Sequence, residues 1–123
     1  MKRFIWTAAA LLPCLVLLAG AGCRTYEINC TVKNRTGASI ELMEVDYPSA
    51  SFGLNSLANG ADYSYRIQVR GSGPVSVQYN LPQTHKLVKD TGTSVEENQE
   101  GSLEIVLMPD GHADFYPKLS APQ

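Results

Sequence analysis

Few residues in this 123-residue chain have the type and spacing that could carry chemistry. Its two histidines, His85 and His112, lie 27 positions apart, and neither sits in a nucleophile or metal-binding motif. The stretch Ser49-Ala50-Ser51 lacks the Gly-x-Ser-x-Gly turn that raises a serine for attack. Glu96, Glu97 and Glu100 gather carboxylates without the alternating Asp or Asn ligands and the turn glycine of a calcium loop, so they read as solvated. No metal, no cofactor and no enzymatic activity is therefore expected. Binding chemistry is better represented. Arg66, Gln68 and Arg70 share one parity of a strand, and guanidinium forks fit carboxylates and phosphates. Ser76, Gln78 and Asn80 are expected to continue that stripe on the neighbouring strand; the plainer reading of the whole stripe is a solvent face. Phe52, in Ser51-Phe52-Gly53-Leu54 between two turn regions, would anchor a partner if exposed and plug an open end of the fold if turned inward.

Composition narrows the partners. Ten basic against 12 acidic side chains leave a net charge of −2, which gives no electrostatic footprint for nucleic acid. With 44% hydrophobic and only 18% charged residues the chain is too apolar to be disordered, and its length allows one domain. Cys14, Cys23 and Cys30 are too few and wrongly spaced for a zinc site or a disulfide framework. Asn29-Cys30-Thr31 and Asn34-Arg35-Thr36 match the glycosylation pattern, but an outward-facing Asn29 and a turn at Asn34 account for both without it.

The N-terminus is the most informative stretch. Lys2 and Arg3 precede an apolar run through Ala19, with no further charge before Arg24. The run ends in small residues, Ala19-Gly20-Ala21-Gly22, immediately before Cys23. This is the layout of a secretory signal helix with a cleavage site that admits little bulk. Ala19-Gly20-Ala21-Gly22-Cys23 also resembles the lipobox of bacterial lipoproteins, with Gly20 where that family more often has leucine. The resemblance implies cleavage before Cys23, acylation of its thiol and new amine (palmitate among the chains), and a membrane anchor. Two or three acyl chains, at about 0.8 kcal/mol per buried CH₂, make attachment stable where one chain does not. The same family retains proteins at the inner membrane through Asp after the cysteine; Arg24 instead implies the periplasmic side of the outer membrane in a Gram-negative cell.

Without Lys2 and Arg3 the mature chain drops from 10 basic residues to 8 against 12 acidic ones. Period-two alternation then runs almost throughout, and a helical period nowhere. Tyr26, Ile28, Cys30 and Val32 mark a first strand, followed by a turn at Asn34-Arg35-Thr36-Gly37. From Ser39 to Tyr47 the parity slips between Leu42 and Met43, which predicts a bulge there. Tyr63, Tyr65, Ile67 and Val69 form the clearest strand, Val75, Val77 and Tyr79 another, and His85–Lys89 a weaker one. Asp90–Gly101 is polar and reads as a mobile loop before Leu103, Ile105 and Leu107 and a short last strand from Ala113 to Tyr116.

About seven short strands without a helix predict an all-β fold, a small antiparallel sandwich. Leu57-Ala58-Asn59-Gly60-Ala61-Asp62-Tyr63 resembles the tyrosine corner of fibronectin type III and other Ig-like domains, with Asn59 in place of proline. That resemblance implies an Ig-like sandwich in which the Tyr63 hydroxyl ties the corner to upstream backbone. The expected organisation is a signal peptide over 1–22, a lipid-anchored N-terminus over 23–25, the sandwich over 26–116 and a flexible tail over 117–123. The expected function is that of a non-enzymatic envelope lipoprotein, tethered at Cys23, that binds an envelope protein or serves as a structural accessory. An envelope inhibitor or small-ligand-binding lipoprotein is the alternative. Phe52, Arg66, Gln68 and Arg70 are the candidate binding residues.

Overall fold

The computed structural model describes residues 25–120; the expected signal peptide over 1–22, Cys23, Arg24 and residues 121–123 lie outside the described residues. Alternating apolar side chains build eight strands: β1 (Ile28–Asn34), β2 (Ile40–Tyr47), β3 (Ala50–Leu57), β4 (Asp62–Ile67), β5 (Gly73–Leu81), β6 (Lys86–Val95), β7 (Glu100–Leu107) and β8 (Ala113–Ser120). They form two four-stranded sheets, β4-β1-β7-β8 and β3-β2-β5-β6. Packed face to face, these make an all-β, Ig-like sandwich. All pairings are antiparallel except β1 with β7, which run parallel from Ile28–Gly101 to Asn34–Leu107.

The core is the set of inward parities. Ile28, Cys30 and Val32 of β1 and Leu103, Ile105 and Leu107 of β7 face Met43 and Val45 of β2 and Val75, Val77 and Tyr79 of β5. Each fully buried aliphatic side chain here contributes about 1.5–3 kcal/mol. Cys30 lies among them, and burial pushes its thiol pKa up to about 12, so it behaves as a small apolar residue. The bulge expected in β2 is present: register against β5 shifts between Glu41 and Glu44, and Leu42 takes φ = 50°. That extra residue turns outward, and the apolar parity resumes at Met43.

Four expectations are corrected. Ser51–Leu54 belongs to a full strand, β3, because its small polar residues face solvent while Phe52 and Leu57 reach the core. Asp90–Val95 continues β6 and is not loop, anchored inward by Val88 and Val95. β8 runs to Ser120, so the expected tail from Pro117 starts as strand paired with β7 down to Glu100–Ser120. Ser76, Gln78 and Asn80 do not extend the arginine stripe, because the chain crosses to the other sheet between β4 and β5.

The tyrosine corner is also replaced. Among the described residues the Tyr63 hydroxyl makes no hydrogen bond, and its ring packs toward Phe52. Asn34, completely buried, does the tying. Its Nδ2 donates to the carbonyls of Ala38 (2.9 Å), Leu57 (3.0 Å) and Ala58 (3.1 Å). Its Oδ1 accepts from the Thr36 hydroxyl (2.7 Å) and the Thr36 amide (3.1 Å). One side chain thus fixes the β1–β2 turn to the β3–β4 corner, and folding closes the Asn34 glycosylation pattern to any enzyme.

Candidate functional site

The end of the sandwich where β1 begins also holds the β2–β3 turn, the β4–β5 crossover and the β6–β7 turn. A shallow cleft of about 530 Å³ opens there between Glu27, Tyr47, Ser49, Ala50, Tyr65, Arg66, Gln68 and Arg70. Arg66 lies on the outer face of β4 opposite Asn29, and Gln68 and Arg70 follow in the crossover. The Arg70 amide donates to Ser49 Oγ (3.3 Å), and the Gly71 amide to Glu97 Oε1 (3.3 Å), so neighbouring loops hold the crossover. Arg66 is paired loosely with Glu27 at 3.7 Å, and the guanidinium of Arg70 has no ion pair among the described residues. Both cations stand in solvent, where such pairs contribute little to stability.

An aromatic group closes the same edge. The Phe52 ring stacks on Tyr65 with centroids 4.8 Å apart and planes at 27°, flanked by Tyr63 at 6.2 Å and Tyr47 at 6.4 Å. Phe52 is only 7% exposed, on a strand and not on a loop, so it does not itself meet a partner. It supports Tyr65, which is 45% exposed because β4 is the outermost strand of its sheet. Burial, then the neighbouring Tyr65 and Cys30, push the Tyr47 phenol above its ordinary pKa. Structure thus gathers Arg66, Gln68 and Arg70 with Phe52 around one cleft, but through Tyr65 and Tyr47, which the sequence reading did not assign to it. The unpaired Arg70 guanidinium and the loosely paired Arg66, beside the exposed Tyr65 ring, suit binding an anionic or aromatic group.

At the opposite end, His112 contacts Asp110 through Nδ1 and Asp114 through Nε2 (3.3 Å). The Asp110 hydrogen bond, with both carboxylates' charge, raises the imidazole pKa despite some desolvation. His85 occupies the β5–β6 turn at φ = 54°, its amide donating to the Leu81 carbonyl (2.8 Å). Among the described residues no group of three or more His, Cys, Asp or Glu side chains is arranged to hold a metal ion. Glu97 serves the crossover, and the Glu96 amide donates to Gln99 Oε1 (2.8 Å).

No protein-family model matches the chain, and no curated protein matches it. Among solved structures it is similar to the NMR structure of the protein from Eubacterium rectale, with a TM-score of 0.58 and 8% identity over 77% of this chain and 93% of that one. At that identity the likeness is one of fold.

Proposed function

We propose that this chain is an envelope lipoprotein, anchored through acylated Cys23, whose sandwich acts without catalysis as a protein-binding or accessory module. One observation carries the reading: Cys23 ends a signal-like leader and stands five residues before β1. At about 3.3–3.6 Å per extended residue the tether is under 20 Å long. The β1 end of the sandwich, with its arginine cleft, then sits next to the membrane, and the anchor raises local concentration toward other envelope components. Arg24 favours the outer membrane. The cleft beside Tyr65 supports the inhibitor or ligand-binding alternative, in which an anionic group lies between Arg66 and Arg70.

Intact mass of membrane-extracted protein tests the anchor. The expected mass is that of a chain starting at Cys23 plus acyl chains, lost in Cys23→Ser. An unmodified mass, or a mass starting elsewhere, overturns it.

A further inference from the structure

Three of the four sheet edges are guarded against strand addition. β4 is six residues long with Asp62 and Arg66 outward, β6 has Lys86, Lys89 and a register break, and β8 carries Pro117 and Lys118. Such features block pairing with another chain. The fourth edge, β3, has neither charge nor proline over Ala50–Leu57, and its register with β2 holds from Ile40–Leu57 to Tyr47–Ala50. We infer that β3 is a strand-addition site for an extended partner segment in which basic residues alternate with apolar ones. This rests on the protein-binding reading above and names the edge and the partner's chemistry.

The chemistry follows from the two faces the added strand would have. On the outer face β3 presents small residues, Ser51, Gly53 and, beyond a slip in parity at Asn55, Ser56. Behind them, on β2, stand Asp46, Glu44 and Glu41, none in an ion pair among the described residues. An added strand lies two spacings from β2, about 9.6 Å, and its outward lysines or arginines reach over the small row to those carboxylates. The outward bulge residue Leu42, 58% exposed, borders a depression of about 320 Å³ with Gly53 and Asn55 that takes the stems of such side chains. On the inner face the added strand overhangs β4, where the half-exposed Tyr65 ring awaits an apolar neighbour. A second copy is disfavoured, because β3 pairing would bring two acidic β2 rows toward each other.

The test uses the mature, delipidated chain with an acetylated, amidated eight-residue peptide alternating lysine and valine, followed by amide NMR. Shifts are expected along Ala50–Leu57, with affinity falling tenfold or more in a Glu41→Gln/Glu44→Gln/Asp46→Asn variant and in 0.5 M salt. A peptide with glutamate for lysine should not bind. Shifts centred on Arg66–Arg70, dimerisation of the chain, or no binding overturn the assignment of β3. Photo-crosslinkers at Ser56 and Arg66 in intact cells then separate the two readings. Partner capture from Arg66 alone overturns the edge and leaves the binding module standing, and capture from neither overturns both.

Discussion

Replacing Asn34 with alanine strips five hydrogen bonds from the place where the β1–β2 turn meets the β3–β4 corner. The Leu57 carbonyl is buried and cannot turn to water, which costs about 1–3 kcal/mol. The part-buried carbonyls of Ala38 and Ala58 and the Thr36 donors recover some hydration, so each adds at most about 0.5–1 kcal/mol. The sum is at most about 3–7 kcal/mol, a large share of the 5–15 kcal/mol typical of such a domain. Urea unfolding followed by tyrosine fluorescence should show a midpoint lower by about 1.5–3 M with unchanged slope. The Asn34→Asp variant sharpens the test. It keeps the acceptors for Thr36 but turns a carboxylate on three carbonyl oxygens, which raises the folded pKa of the introduced carboxyl above its unfolded value of about 3.9. The folded state then binds more protons, so stability falls as pH rises through that folded pKa. A loss below about 1 kcal/mol for Asn34→Ala, or an Asn34→Asp variant more stable at pH 7 than at pH 4, would refute the argument.

Gly92→Ala puts a Cβ into the ring of Phe115, so overpacking should cost about 1–3 kcal/mol, much of it returned by adding Phe115→Leu; unfolding curves of both variants decide this. The His112 imidazole should titrate above 6.5, and Asp110→Asn should lower its pKa in an NMR titration. Desolvation opposes the fall in the Asp110 pKa, but hydrogen bonds from His112 outweigh it. The pair therefore stabilises the fold fully between the two unfolded pKa values, losing its aspartate part as pH falls through the folded Asp110 pKa and its histidine part as pH rises through the folded His112 pKa. In a chain begun at residue 24 Cys30 is the sole thiol, and it should resist alkylation at pH 8 until denaturant is added.

Sheet-forming parity was legible wherever one face is buried, as in β1, β5 and β7, and the slip at Leu42-Met43 exposed the bulge. It failed in two edge strands, although β4, also at an edge, kept a clear alternation. β3 and the second half of β6 bury few side chains, so their small and polar residues carry the composition of loops. Asn34 was legible in principle. It continues the parity of Ile28, Cys30 and Val32, and a polar residue on an apolar face signals a buried hydrogen-bond centre. Consecutive strands usually pair, which points the arginine stripe onto β5, whereas this chain changes sheets there. Phe52 turns inward, as the plugging alternative requires, but from a strand and not from a segment between turns.

The central position of β1 has a mechanical meaning. Any force on a tether at Cys23 enters the domain along β1, which is hydrogen-bonded to β4 on one side and β7 on the other. Pulling such a strand out loads both ladders at once in shear, with their bonds strained together, whereas an edge strand would peel one pair at a time. On the proposed anchoring, the envelope would pull on the strand best placed to resist it.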